Sequence, residues 1–204
     1  MAELRSLTSF KSALKGSGAR PNLFHVQIPS FPQAALGGAG ATNWGNDEQR
    51  DFTFKCKSAG IPAFNISPIE VPYLGRTFKV PGDRVIDSWT VTVLNDEDFK
   101  LRNAFESWSN GINRLTTGTG ATDPAAYMVD AYVSQLGRGY SNLKFSREAS
   151  LSPEGTEVTP LKIYKFYDIW PSSVGPIELS FDNNDVIEEF EVGFQVSFFT
   201  TDEG

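Results

Sequence analysis

A single histidine and a single cysteine serve 204 residues. With Cys56 alone, no disulfide can form within the chain, so it reads as a protein of a reducing cytoplasm or one that needs no covalent staple. The pair is also too few for a zinc site of the usual four-ligand kind. Any Ser-His-Asp or Cys-His device would have to use His25. That residue alternates with Phe24, Val26 and Ile28, the pattern of an ordinary strand position. Cys56 shares a predicted strand face with Phe52 and Phe54 and reads as a buried, inert thiol. Long apolar runs are missing as well. Nothing approaches the ~18 residues of a membrane span, and residues 1–14 mix Glu3, Arg5 and Lys11 into what would be the core of a signal peptide. Positive charge is in deficit, with 18 Lys and Arg against 25 Asp and Glu. The net charge of −7 repels phosphates, which excludes nucleic-acid binding by charge neutralisation.

Three weaker signals for chemistry fail on their details. Gly37 to Gly40 is followed by Asn43-Trp44-Gly45, without the Gly-Lys-Ser/Thr of a phosphate loop. Asp182-Asn183-Asn184-Asp185 lacks the glycine and distal glutamate of a calcium loop and reads as a turn. The acidic pairs Glu188/Glu189 and Asp96/Glu97/Asp98 suit a half-exposed strand and a helix start better than a glycosidase cleft. No enzyme, cofactor or metal site is expected.

What the chain does have is aromatic weight, with 16 Phe, 6 Tyr and 4 Trp, which suits pleated sheets. Alternation predicts strands at 24–28, 52–57, 84–94, 127–136, 161–170, 177–181 and 188–198. Phe190, Val192, Phe194, Val196 and Phe198 should face the core, as should Val85, Trp89, Val91 and Val93. Asp87 interrupts that second series. One principal helix is expected over about 96–112. Asn95 would cap it, Asp96, Glu97 and Asp98 would fill its first turn, and Leu101, Ala104, Phe105, Trp108 and Ile112 would form its apolar stripe. A short amphipathic helix at 4–14 precedes the first strand, and Pro171 and Gly175 are expected to turn the chain. The expected fold is mainly β: one domain over 1–204, an antiparallel barrel or sandwich with one flanking helix and long loops. Residues 29–50 and 137–160 read as loop elaborations. Residues 58–83, with Pro62, Pro68, Pro72 and Pro81, read as an extended arm or edge hairpin, because proline cannot donate to a central ladder.

Several segments, taken in order, resemble the tail tube proteins of contractile-tailed bacteriophages. Ala19-Arg20-Pro21-Asn22-Leu23-Phe24 is similar to that family's entry into its first strand, and Phe52-Thr53-Phe54-Lys55-Cys56-Lys57 to its second. Pro81-Gly82-Asp83-Arg84, followed by Trp89-Thr90-Val91-Thr92-Val93 and Asn95-Asp96-Glu97, is the most specific match. Trp170-Pro171-Ser172-Ser173-Val174-Gly175 and Glu189-Phe190-Glu191-Val192 complete the series. The loops at 29–50 and 137–160 are longer than that family's pattern.

The resemblance implies a self-assembling virion protein, with six copies in a ring and rings stacked into a hollow inner tail tube. Sheath contraction would drive that tube through the host envelope, and DNA would pass along its lumen without specific binding. Implied partners are the tail sheath protein, a baseplate or tube initiator and a tail terminator. The implied location is the viral tail, after synthesis and assembly in the host bacterial cytoplasm. On this reading Phe64, Ile66, Ile69, Val71, Tyr73 and Leu74 are candidates for ring-to-ring contact, since apolar residues on an arm need a partner. Residues 1–20 are a second candidate. Asp87, Glu188, Glu189 and Glu191 are candidates for charges on the lumen wall. Two other readings fit the same residues: the inner tube of a phage-derived contractile bacteriocin or secretion system, and a carbohydrate-binding β-sandwich.

Overall fold

The computed structural model describes residues 7–14, 18–32, 46–137, 160–182 and 184–203. Most of the expected loops at 29–50 and 137–160 lie outside the described residues. Three α-helices are described: α1 (Leu7–Ala13), α2 (Asn46–Lys55) and α3 (Lys100–Ile112). The strands are β1 (Phe24–Gln27), β2 (Cys56–Ala59), β3 (Phe64–Tyr73), β4 (Arg76–Ile86), β5 (Trp89–Leu94), β6 (Val129–Gln135), β7 (Lys162–Val174), β8 (Glu189–Gln195) and β9 (Phe198–Glu203).

An antiparallel path β1-β6-β7-β8-β5-β2 carries the body, with β9 added on β7. Strand β7 belongs to both halves of this path. Its first part, Lys162–Tyr167, pairs with β9, and its last part, Trp170–Val174, pairs with β8. Between them Asp168 takes a left-handed backbone, φ 54°. The neighbouring chain breaks at the same level, where β8 gives way to β9 and Ser197 N–H donates to the Tyr167 carbonyl at 3.2 Å. Two adjacent strands thus turn one corner together, and the path becomes two layers over one core. The expected sandwich is present; no closed barrel is formed among the described residues.

The alternating residues fill that core. Trp89, Val91 and Val93 on β5 pair with Phe194, Val192 and Phe190 on β8, and all six are buried. Opposite them stand Val26, Val129, Ala131, Val133, Phe166 and Ile169. Trp89 stacks on Phe166 with ring centres 4.8 Å apart, joining the layers. Each large apolar side chain buried here contributes roughly 1.5–3 kcal/mol. Helix α3 adds Leu101, Ala104, Phe105 and Trp108, all buried. Phe105 meets Phe194 edge-on at 5.9 Å, and Trp108 Nε1 donates to the Tyr127 carbonyl at 2.8 Å.

Several local expectations are corrected. Residues 52–55 are helical, so Phe52 is buried while Phe54 is 66% exposed. The strand preference of Phe-Thr-Phe yields to tertiary contacts. Phe52 packs edge-on against Phe105 at 5.7 Å, and Thr53 Oγ1 donates to the Val26 carbonyl at 2.8 Å. The main helix starts at Lys100, not at 96. With Phe99 at the N-cap, Asn95 lies five residues before the helix, where it donates through Nδ2 to the Glu188 carboxylate at 2.9 Å, and Asp96 is ion-paired with Lys55. The predicted strand at 84–94 breaks at Asp87 and Ser88, leaving Val85 exposed outside the core. Residues 177–181 are not a strand, and the strand predicted over 188–198 ends at Gln195, with Phe198 half-exposed in β9. Pro171 lies inside β7 at a register shift, where a missing N–H is tolerated.

Candidate assembly surfaces

The proline-rich segment forms a two-stranded hairpin, β3 with β4, that joins no other strand among the described residues. All ten residues of β3 are exposed. At its tip Leu74 and Gly75 both have positive φ, 44° and 75°, the backbone of a tight hairpin turn. At its base Asp87 N–H donates to the Ala63 carbonyl at 2.9 Å and closes the arm onto the body. Pairing slips by one residue between Ile66 and Pro68. The slip falls at Gly82, where a Cβ would stand 2.7 Å from the Ser67 carbonyl oxygen, so a bulkier residue would not fit.

Register divides the six arm candidates between two faces. Ile69, Val71 and Tyr73 lie opposite Val80, Phe78 and Arg76 on one side. Pro68, Glu70 and Pro72 lie opposite Pro81, Lys79 and Thr77 on the other, where Lys79 and Glu70 form an ion pair at 3.5 Å. Phe64 and Ile66 belong to that second side but sit at the base. Phe64 lies under the Arg84 guanidinium at 4.7 Å and 6.0 Å from the Phe199 ring, so it anchors the arm to the body. The outer part of the arm therefore carries one apolar face with Leu74, 86% exposed, at its end. Phe78 and Val80 belong to that face and were missed in the sequence, where proline concealed the alternation of the second arm strand.

The four acidic candidates also separate. On the outward side of β5 and β8, Thr92 pairs with Glu191, Thr90 with Gly193 and Leu94 with Glu189. Ser58 Oγ donates to Thr92 Oγ1 at 2.9 Å, and Glu189 is ion-paired with Lys57. Glu191 stands exposed among these hydroxyls. Glu188 is held by Asn95, and Asp87 is exposed beside the arm's base. Sheet register brings Glu189 and Glu191 to one face and leaves Asp87 at the other end of β5.

Residues 175–182 and 184–188 belong to a strap missed as such in the sequence. It is pinned at one end by Gly175 N–H to the Glu191 carbonyl, 2.7 Å, and at the other by Asn95 N–H to the Glu188 carbonyl, 2.8 Å. Between the pins Leu179, Phe181, Val186 and Ile187 are exposed, Phe181 completely. Strap and sheet enclose a hollow of about 860 Å³ lined by Phe99, Leu179, Val186, Ile187, Glu178 and Glu191 among others. Helix α1 exposes Leu7, Phe10 and Leu14 in the same manner.

Among the described residues no group of three or more His, Cys, Asp or Glu could hold a metal ion. His25 is buried, which pushes its imidazole down to about 4 and keeps it neutral. Burial pushes the Cys56 thiol up to about 12. No helix among the described residues is long and apolar enough to cross a membrane.

Comparison with known proteins fits this picture. The family model described as phage tail tube protein matches residues 19–202. Tail tube protein gp19 of Enterobacteria phage T4 is 32% identical over 188 residues, covering 90% of this chain and 92% of that one. The tail tube protein of Serratia phage KSP90 is 23% identical, with 92% of each chain covered. Among solved structures, the tube-terminating cap of the anti-feeding prophage superposes with a TM-score of 0.58 at 15% identity, covering 91% of both chains. A chain of the sheath–tube complex of an extracellular contractile injection system gives 0.53 at 14% identity, covering 98% of this chain and all of that one. The family model's match over residues 19–202 and 32% identity across 90% of its length place the chain in the phage tail tube protein family.

Proposed function

We propose that this chain is the structural subunit of the hollow inner tube of a contractile phage tail. It assembles as six-membered rings that stack on one another, and it performs no catalysis. The observation that carries this reading is the arm, which exposes Ile69, Val71, Tyr73, Phe78 and Leu74 on a hairpin with no partner strand among the described residues. A lone hairpin is marginal in water, and a contiguous apolar face calls for a contact. Phe64 and Ile66 hold the arm's root, and its outer face makes the ring-to-ring contact.

The outward face of β5 and β8 supports the lumen wall. It presents Glu191, Glu189, Thr90 and Thr92. The outward face of the other layer carries Tyr132, a Lys165–Asp130 ion pair at 3.2 Å and a Tyr167–Phe198 stack at 4.4 Å, an aromatic surface that suits base stacking. Acidic side chains repel passing DNA over roughly 8 Å at physiological salt, so the wall does not bind its cargo. Asp87 and Glu188 contribute from the two ends of β5. The tail sheath protein, a baseplate initiator and a tail terminator are the partners this role requires, and synthesis in the host cytoplasm precedes assembly into the virion.

Negative-stain electron microscopy across a concentration series tests the proposal. Six-fold rings or hollow tubes are expected, with growth accelerated by a baseplate initiator. Monomers that persist even with the initiator, together with glycan binding by the monomer, would overturn it in favour of a carbohydrate-binding sandwich.

A further inference from the structure

Two apolar features apart from the arm remain uncovered. The first is α1. Leu7, Phe10 and Leu14 recur at three- and four-residue spacing and form one stripe, and all three are exposed. Leu14 N–H donates to the Phe10 carbonyl at 3.1 Å, which carries the helical turn through to the last of them. From Leu7 to Leu14 the stripe runs roughly 10 Å along the helix axis. Its surroundings are basic. Residues 1–20 hold Arg5, Lys11, Lys15 and Arg20 against Glu3 alone, and Lys11 is exposed next to Phe10.

The second is the hollow beneath the strap. Phe99, Leu179, Val186 and Ile187 give it apolar walls, and Glu178 and Glu188 place carboxylates in it. The strap is fixed at both ends and arches over the space between. Besides the pins at Gly175 and Glu188, Arg102 Nη1 donates to the Gly175 carbonyl at 2.6 Å. The same guanidinium lies over the Phe190 ring at 5.2 Å, and its Nε pairs with Glu106 at 2.6 Å. Arg102 belongs to α3, so the strap is tied to the helix that helps fill the core. The volume of about 860 Å³ lies within the roughly 300–1,000 Å³ of clefts that hold ligands. It is also roughly the cube of the length of the α1 stripe.

From these observations we infer that α1 of one subunit seats Leu7, Phe10 and Leu14 in the strap hollow of the neighbouring copy in the same ring, with Lys11 against Glu178. The inference rests on the tube reading above and adds a side-to-side contact that a ring requires. Amphipathic helices are recognised in this way, by apolar anchors at i, i+3 and i+7 laid in a groove. The charges are complementary, since a basic segment meets walls that carry Glu178 and Glu188. Within one chain helix and hollow both stay uncovered, and a second copy supplies to each what it lacks. Helix on one copy and hollow on the next make a heterologous contact, which generates a closed ring when its rotation closes. The segment read from the sequence as a second stacking candidate then acts within a ring and not between rings.

The test is site-directed cross-linking in assembled rings and tubes. Chains carrying Phe10→Cys are mixed with chains carrying Leu179→Cys, assembled, and treated with a short bismaleimide. Leu7→Cys with Val186→Cys serves as a second pair in case the first disturbs folding. Buried Cys56 stays in place as an unreactive background. The mixture should give covalent dimers and nothing larger, because each chain then holds only half of the contact. The double variant Phe10→Cys with Leu179→Cys should give a ladder of multimers that ends at six. Lys11→Glu should raise the concentration needed for assembly by about fivefold, and Glu178→Lys added to it should restore assembly. Rings or tubes that form without these products, cross-links confined within single chains, or a ladder that continues past six each overturn the inference and leave the tube reading intact. A wild-type chain that forms neither rings nor tubes, even with a baseplate initiator, overturns both.

Discussion

The body and the arm use the same apolar residues for opposite ends. In the body, Val91, Val93, Val192 and Phe194 are fully or almost fully buried by neighbours in their own chain. In the arm, Ile69, Val71 and Phe78 occupy an equally regular alternation, yet each is at least 45% exposed. Pattern alone cannot separate the two, since period-two alternation records that one face is apolar and not what covers it. The difference lies in what each hairpin can reach. Strands β5 and β8 have a second layer and α3 against them, whereas among the described residues β3 and β4 pair only with each other and meet the body at the arm's root.

The largest break in this comparison comes from charging the body. Phe194 touches Trp89, Phe105 and Trp108, with ring centres 5.2 to 5.9 Å apart. Phe194→Asp loses that packing and buries a carboxylate, at a cost of more than about 5 kcal/mol, comparable with the whole stability of a domain. Soluble yield should collapse; a variant that melts like the wild type would falsify the core assignment of β8.

Acid acts on the body more gently. His25 has its pKa lowered to about 4 by burial against an ordinary 6.5. Between those values the unfolded chain binds a proton that the folded chain does not, so stability falls as pH drops from about 6.5 to 4 and is intact above 6.5. Full expression of the shift amounts to about 3 kcal/mol. Denaturant titrations should show a steeper acid loss in the wild type than in His25→Gln. Parallel curves would mean that the buried imidazole is not the sensor.

Charging the arm should do almost nothing to the monomer. Val71→Glu with Phe78→Glu changes one exposed cross-strand pair and should shift monomer stability by no more than about 0.5 kcal/mol. Tube formation should nevertheless be lost, because two carboxylates would then have to enter an apolar contact. Tubes of normal length would mean that the arm's apolar face does not carry stacking.

Much of the body was legible because burial in it follows local alternation. The β5 and β8 series and the α3 stripe are read directly from their periods. What escaped was set by distant partners. Phe52 became helical to meet Phe105, and the main helix begins five residues after Asn95, which holds Glu188 instead. Residues 177–181 alternate as a strand would, but the pins at Gly175 and Asn95 hold them away from any ladder. The arm's outline was visible in its prolines. Its two faces were not, because the slip at Gly82 moves β4 by one residue and so decides which of its side chains share a face with Ile69 and Val71.

The smallest effect on folding, and the one that isolates the lumen, belongs to Glu191. Its side chain is exposed on the outward face of β8, while its neighbours Phe190 and Val192 are buried. Glu191→Lys should therefore leave melting within about 0.5 kcal/mol of wild type and leave tubes intact. In a ring of six, however, it reverses six charges at one level of the wall, and lysine ammonium groups hold phosphate. Genome release from particles carrying the variant should slow at low salt and recover as salt rises, since counterions screen such a contact within roughly 10 Å at 0.1 M. Release at the wild-type rate at every salt concentration would remove Glu191 from the wall. The outward face of β5 and β8 would then have to lie elsewhere in the tube.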